Sequence, residues 1–162
     1  MHRLTRFVLI LVTITVGMSS LESLAADARM DTRAEDYAEI QTLIVKYAHV
    51  YDARDVEGYV SVFTDDVKFT FNGGNLNGIG EVREFITNVA NSPEPAMKSY
   101  HSISNTLIEF VSDTEAHHRS YWQIIMGPYD DGQYIVGNMG VYEDVIVKEN
   151  GKWLIKQRNI PF

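Results

Sequence analysis

The chain of 162 residues has the length of one ordinary domain plus a short additional segment. Its 45% hydrophobic and 22% charged residues are typical of a globular fold, and its net charge of −8 argues against nucleic acid as a partner, because a phosphate backbone requires a basic surface. The sequence contains no cysteine, which excludes disulfides and thiol chemistry.

The N-terminal segment has the layout of a secretory signal peptide. Arg3 and Arg6 precede an apolar stretch, Phe7 to Met18, and small residues follow it. That stretch is about 12 residues long, short of the roughly 20 that span a bilayer; an uncleaved membrane anchor is the alternative. We therefore expect residues 1–28 to be a signal peptide and residues 29–162 to form one domain. The mature protein would be exported, to the periplasm or beyond, without stable membrane insertion.

Three helices are predicted in the first half of the domain. Apolar residues recur at three-and-four spacing from Thr32 to Tyr51, which indicates an amphipathic helix. Asp55 is a plausible N-cap for a second, short helix. The two prolines of "NSPEPAMK" end a third helix. The predicted inward-facing residues are Tyr37, Ile40, Leu43, Ile44, Tyr47, Ala48 and Tyr51, then Val56, Tyr59, Val60 and Phe63, then Val82, Phe85, Ile86 and Val89.

Strands account for most of the rest. "DDVKFTF" alternates, with Val67, Phe69 and Phe71 on one side, and "NGGNLNG" after it is predicted to be a loop. Short, turn-rich connections then separate four strand-like segments, as in an antiparallel meander. These segments are "SYHSISNTLIEFV", "EAHHRSYWQIIM", "QYIVGNMGVYEDVIVKE" and "KWLIKQRNI". The predicted fold class is α+β, with helices against one face of a curved antiparallel sheet.

Four polar residues in otherwise apolar elements are candidates for chemistry: Asp52, His101, Asn105 and Arg158. His101 and Asn105 are four residues apart on one strand, so they are expected to share a face. Each residue also has an ordinary explanation. Asp52 could be a solvated helix end and His101 a core or surface histidine. Arg158 could be the exposed partner of Glu143 or Asp144.

Three segments, taken together and in order, resemble the SnoaL-like branch of the nuclear-transport-factor-2-like superfamily, which includes scytalone dehydratase, bile acid 7α-dehydratase and hexachlorocyclohexane dehydrochlorinase. The segments are "IQTLIVKYAHVYDARDVEGYVSVFTDDVKF", "YHSISNTLIEFVSDTEAHHRSYW" and "GVYEDVIVKENGKWLIKQRNI". The resemblance implies a cystatin-like α+β barrel: a cone-shaped sheet wrapped around N-terminal helices and enclosing a pocket for a small hydrophobic molecule. It also implies a homo-oligomer, either a dimer or a trimer.

The resemblance extends to individual residues. It pairs Asp52 with His101 and turns Tyr47 or Tyr51 toward the pocket. It matches Arg158 to a pocket arginine of the dehydrochlorinase-like members, and Asn105 to the asparagine of the family's "H…N" strand. The predicted catalytic residues are Asp52, His101 and Tyr47, and the predicted substrate-binding residues are Tyr51, Asn105, Arg158, Phe69, Trp122 and His118.

These residue types suit an elimination reaction. Histidine titrates near neutrality, so His101 can take a proton from an acidified carbon, while Asp52 orients the ring. Tyr47, Tyr51 or Arg158 would polarise a carbonyl or assist a leaving hydroxide or halide. We therefore predict a cofactor-independent, dehydratase-like lyase acting on a small hydrophobic or polycyclic substrate. The alternatives are an isomerase in which Asp52 alone shuttles a proton, and an exported binding protein without chemistry.

The adjacent residues His117 and His118 do not predict a metal site. Neighbouring strand residues point to opposite faces, so the two rings cannot easily bind one ion. His118 is the one expected to face the pocket. No metal and no other cofactor is predicted. The segment Ile124 to Met126 lacks the second histidine of scytalone dehydratase and the aspartate of the bile acid enzyme, so no specific substrate is predicted.

Overall fold

The computed structural model describes the backbone of residues 2–93 and 98–161, with the side chains of those residues except 2–21 and 31. The chain divides into two compact units, Met1–Ala38 and Glu39–Phe162. The segment 1–28 lies in the first unit, and its role as a signal peptide stays a prediction. Among the described residues, no helix has both the length and the hydropathy of a membrane-spanning segment.

The first helix, α1 (His2–Asp52), contains the whole predicted helical segment but begins far ahead of Thr32. Residues 2–31 contain no proline and a single glycine, Gly17, so the sequence offers little to interrupt a helix there. From residue 39 onward α1 belongs to the second unit, whose core includes its apolar stripe. The buried stripe consists of Ile40, Leu43, Ile44, Tyr47 and Ala48, as predicted. Tyr37 was also predicted to face inward, but it is 42% exposed, since it lies ahead of the part of α1 that packs in this core.

The second helix, α2 (Val56–Val60), begins at the predicted cap. The Asp55 carboxylate accepts a hydrogen bond of 2.9 Å from the backbone N–H of Gly58. The helix is shorter than predicted, because Phe63 is the first residue of a strand rather than part of α2. Phe63 is buried in the core, so its predicted burial is confirmed, but its predicted place in a helix was wrong.

The Asp55 cap allows a direct stability test. Asp55→Ala leaves the helix N–H groups without their side-chain acceptor, so we expect the free energy of unfolding to fall by about 1 kcal/mol. Asp55→Asn keeps an acceptor oxygen in the same place and is the matched control. Urea unfolding should place the asparagine variant close to wild type, and equal losses in both variants would contradict the role of the cap.

The third helix, α3 (Ile79–Asn91), buries Val82 and Ile86, as its spacing predicts. Its last residue stands two positions before Pro93, which agrees with a proline-terminated helix. The second proline of that segment, Pro95, lies outside the described residues.

A single sheet forms the rest of the second unit, and its last four strands are the predicted antiparallel meander. The strand order is β2-β1-β6-β5-β4-β3, with β1 and β6 parallel and every other pair antiparallel. The α+β fold class is confirmed, with a curved sheet that does not close into a barrel. The strands are β1 (Phe63–Phe71), β2 (Gly74–Asn77), β3 (Lys98–Phe110), β4 (Glu115–Gly127), β5 (Ile135–Glu149) and β6 (Lys152–Asn159).

The predicted loop at residues 72–78 was wrong in part, because it contains strand β2. Phe71 pairs with Gly74, so only Asn72 and Gly73 form the turn between β1 and β2. Asn-Gly between two extended segments is a strong hairpin signal. The alternation in β2 is too short to be recognised without its partner strand.

The expectation that Asn105 shares a face with His101 was also wrong. The pairing of β3 with β4 shifts register between Ser104 and Leu107, and Asn105 has a φ of 53°. A bulge adds one residue to the strand and so reverses which side chains point inward beyond it. Asn105 is exposed as a result, while Ile108 and Phe110 take over the inner face.

Candidate active site

The end of α1 and the start of β3 place Asp52 against His101. One carboxylate oxygen, Oδ1, lies 2.6 Å from His101 Nδ1, and the other, Oδ2, accepts the backbone N–H of His101 at 2.8 Å. The two side chains are 17% and 7% exposed, so little water competes for these contacts. A carboxylate bound to Nδ1 leaves Nε2 as the ring nitrogen with a free lone pair in the neutral imidazole. The geometry is that of a base oriented by its carboxylate.

Tyr51 is the tyrosine that stands beside this pair. Its ring meets the His101 ring edge-to-face, with centroids 4.9 Å apart. Burial raises the pKa of the Tyr51 phenol, and the neighbouring Tyr47 and Asp52 raise it further. The hydroxyl therefore stays protonated well above neutral pH and is available as a hydrogen-bond donor.

A second ionic cluster crosses three strands deeper in the same unit. Arg158 on β6 donates to both carboxylate oxygens of Asp144 on β5, from Nε at 2.8 Å and from Nη2 at 2.7 Å. His118 on β4 places Nδ1 at 2.7 Å from Asp144 Oδ2. The side chains of all three residues are 0% exposed. Arg158 therefore pairs with Asp144, as the alternative to a pocket role proposed, but the pair is buried rather than exposed. The predicted role of Arg158 in substrate binding stays a prediction.

Two tyrosines enclose the Arg158 guanidinium. Its central carbon lies 3.9 Å from the ring centroid of Tyr47 and 4.2 Å from that of Tyr142. The Tyr47 hydroxyl accepts a hydrogen bond of 3.3 Å from Tyr59. The predicted catalytic tyrosine, Tyr47, is therefore committed to Arg158 and Tyr59, while its neighbour Tyr51 contacts His101.

The charges of this cluster are set by their pairing. Burial alone would raise the pKa of Asp144, but the Arg158 guanidinium and the hydrogen bonds from Arg158 and His118 outweigh it and hold that pKa below its usual value. Burial likewise opposes the charge on Arg158, and the Asp144 carboxylate overcomes it and raises the pKa of Arg158. Both shifts favour the ion pair.

An aromatic wall connects the two clusters. The Trp122 ring lies 6.4 Å from that of His101 and stacks on Tyr142 at 5.6 Å, with 19° between the planes. On the helical side, Tyr59 lies 5.7 Å from Tyr51 and contacts Tyr47 at 5.2 Å. A path of touching rings therefore runs from His101 to the rings that enclose the guanidinium of the deeper cluster.

The remaining predicted site residues fall in different places. Phe69 is buried between Phe63 and Phe71 and packs in the core. Asn105 is exposed at the bulge, away from His101. His118 is buried while His117 is exposed, which confirms that the two point to opposite faces.

Sequence reasoning did not identify Asp144, Tyr142 or Tyr59 as site residues. Tyr142 and Asp144 stand two residues apart in "VYEDVIV", so the period of two already indicated that they share one face of β5 with Ile146, and all three are buried. An aspartate on such a face requires a cation as its partner. The alternation in β5 was therefore the pattern in the sequence that indicated a buried partner for a cation at Asp144.

A hollow of about 370 Å³ borders the deeper ionic cluster, since its lining includes His118 and Asp144. The exposed residues Leu107, His117, Arg119 and Glu143 also line it, whereas Asp52 and His101 do not. Arg119 and Glu143 already pair with each other at 3.5 Å. The side chain of His118 has no exposed surface, and its carboxylate partner Asp144 is already paired with Arg158. The Asp52–His101 pair keeps partial exposure and is therefore the better candidate for chemistry.

Solved structures of the same fold support this description. The chain is similar to a protein proposed to be a scytalone dehydratase from Novosphingobium aromaticivorans (23% identity, 81% of this chain and 86% of that one, TM-score 0.69). It is also similar to LinA, with 22% identity over 80% of this chain and 87% of that one and a TM-score of 0.66. A third similar structure is a protein of unknown function with a cystatin-like fold from Nostoc punctiforme, with 26% identity over 78% of this chain and 90% of that one and a TM-score of 0.65. A comparison with curated proteins found no match.

A match to a family model identifies the family of the chain. The model of the SnoaL-like domain matches residues 32–159, which include both ionic clusters and every strand. The match covers most of the 162 residues and agrees with the cystatin-like fold of the structural relatives. The protein therefore belongs to the SnoaL-like family of the nuclear-transport-factor-2-like superfamily.

Proposed function

We propose that this protein is a cofactor-independent lyase that removes water from a small hydrophobic or polycyclic substrate. The single observation that carries the proposal is the 2.6 Å contact between Asp52 and His101 Nδ1, reinforced by the second carboxylate oxygen on the His101 backbone. Two contacts hold the carboxylate and one holds the ring, so the base is oriented before substrate binds. The likeness in fold to a proposed scytalone dehydratase is consistent with this class of reaction.

The reaction would proceed through His101. Its Nε2 accepts a proton from the carbon next to a substrate carbonyl, and the electron pair of that C–H bond moves into the forming C=C bond. The C–O bond to the neighbouring carbon breaks, and the departing hydroxide takes the proton back from the imidazolium to leave as water. Asp52 stabilises the imidazolium between these steps without itself being protonated. Tyr51, held as a neutral phenol, donates a hydrogen bond to the leaving oxygen.

The same geometry disfavours the isomerase alternative. An isomerase of that type needs a carboxylate free to carry the proton between two carbons. Both oxygens of Asp52 are already occupied by His101. The imidazole, rather than the carboxylate, is the group placed to move a proton.

Loss of water gives a direct test. The protein, with and without residues 1–28, would be incubated with a panel of hydroxylated polycyclic and terpenoid ketones, and the mass of the products would be measured. We expect at least one β-hydroxy ketone to lose 18 mass units with wild type and not with His101→Ala. Compounds that stabilise the protein thermally but emerge unchanged would contradict the lyase and favour a binding protein.

A further inference from the structure

We propose that the indole N–H of Trp122 donates a hydrogen bond to a carbonyl oxygen of the substrate, which makes a flat ketone the preferred substrate class. The inference rests on the proposed function and specifies the ligand of that same site. Trp122 would be the third group, after His101 and Tyr51, that contacts the reacting part of the substrate.

The first reason is that Trp122 is a buried donor without a protein acceptor. The residue is 5% exposed, and among the described residues no atom accepts a hydrogen bond from its Nε1. An indole nitrogen can only donate, and a buried tryptophan normally finds an acceptor. Leaving such a donor without an acceptor destabilises the folded chain, and a ligand oxygen in reach of the N–H would remove that cost.

The second reason is that the sheet makes room for the ring in this orientation. Trp122 pairs across the strands with Gly140 on β5. A Cβ at Gly140 would lie 2.8 Å from Cζ2 and 3.0 Å from Nε1 of the indole. Glycine therefore allows the nitrogen edge to lie directly against the β5 backbone, and stacking on Tyr142 holds the ring plane.

The third reason is the position of Trp122 relative to the base. Its ring centroid lies 6.4 Å from that of His101, on the neighbouring strand. In an elimination next to a carbonyl, the proton removed and the oxygen polarised belong to adjacent carbons, so base and donor must lie close together on one side of the site.

The other buried donors and acceptors without partners serve this role less well. His118 Nε2 and Arg158 Nη1 belong to residues bound to Asp144, in the cluster enclosed by Tyr47 and Tyr142. Ser120 is the next buried position on β4 after Trp122, and it lies further from His101, which pairs with Ile124. Trp122 is the member of this group whose ring adjoins His101.

A pair of probes that differ in one oxygen tests the inference on the full chain. Dissociation constants would be measured for 1-tetralone, a flat aromatic ketone, and for tetralin, the same skeleton without the oxygen. Trp122→Phe keeps a stacking ring but removes the N–H. We expect the variant to bind 1-tetralone about tenfold more weakly and tetralin equally well, the size of one neutral hydrogen bond. Trp153→Phe, the same change at the other tryptophan, should alter neither constant.

A second measurement needs no variant at this position. The Trp122 indole N–H proton resonance, assigned as the one that remains in Trp153→Phe, should move downfield when 1-tetralone is added and stay in place with tetralin. Equal weakening of both probes in Trp122→Phe, no binding of 1-tetralone by wild type, or an N–H resonance unmoved by the ketone would overturn the inference. Because these readouts use binding alone, they are independent of whether His101 turns any substrate over.

Discussion

Replacing Asp144 with asparagine is expected to lower the free energy of unfolding by about 3–5 kcal/mol. The carboxylate is the counter-charge of an arginine with no solvent exposure, and it also holds His118 Nδ1 at 2.7 Å. Asparagine has nearly the same shape as aspartate but no charge. Its amide NH₂ would also take the place of one carboxylate oxygen, so two N–H donors would face each other at Arg158. The variant therefore leaves the Arg158 charge buried and uncompensated, which urea unfolding would measure.

The adjacent residue is the matched control. Glu143 precedes Asp144 on β5 but points outward, where it pairs with Arg119 at 3.5 Å while both side chains are about half exposed. Glu143→Gln should cost less than about 1 kcal/mol, because solvent screens an exposed pair. Similar losses in the two variants would contradict the special role of the buried pair. Replacing both Asp144 and Arg158 with leucine and methionine should restore part of the lost stability.

The acid dependence of stability follows from the same pair. The pKa of Asp144 is lower in the folded than in the unfolded chain, so its contribution is fully present above the unfolded value near 4 and is lost as the pH falls through the folded value. The difference between wild type and Asp144→Asn should therefore narrow below about pH 4. A difference that stayed constant into acid would contradict the assignment.

The second large effect is expected on catalysis. On the substrate identified by loss of water, His101→Ala and Asp52→Asn should each lower kcat/KM by about 10²–10⁴-fold. Alanine removes the base. Asparagine can present an amide N–H to Nδ1, which would move the ring proton to Nε2 and leave no lone pair facing the substrate. Steady-state kinetics, with thermal unfolding to confirm the fold, would measure both losses.

Another histidine controls for this test. His117 lies on β4 with its side chain 56% exposed, on the opposite face from the candidate site. His117→Ala should leave kcat/KM within about twofold of wild type, since a surface substitution that touches no substrate changes little. Full activity in His101→Ala would exclude the proposed base. Losses that add between Asp52→Asn and His101→Ala in the double variant would exclude their action as a unit.

The Asp144 variants test stability, and the His101 and Asp52 variants test catalysis, although both groups of residues lie in the same unit. The Asp144 cluster is enclosed by Tyr47 and Tyr142, and it is expected to hold the interior together. The Asp52–His101 pair retains partial exposure and joins one helix end to one strand start. This division explains why Tyr47, four residues before Tyr51 on the same helix face, serves the deeper cluster instead of the base.

The sequence by itself determined the elements and the candidate pair. Three-and-four spacing placed the buried stripe of α1, and Asp55 identified the start of α2, because both signals depend on residues close in the chain. The meander followed from alternation and short turns. The pairing of Asp52 with His101 came from family resemblance, and their 2.6 Å contact agrees with it.

The tertiary structure alone decided which side chains meet across strands. A period of two tells which residues share a face but not their partners, which depend on strand register. The bulge between Ser104 and Leu107 therefore removed Asn105 from the site, and the register of three strands brought His118, Asp144 and Arg158 together. Burial of that cluster is a property of the packed sheet and of the helix laid against it, and no local pattern around Arg158 contains it.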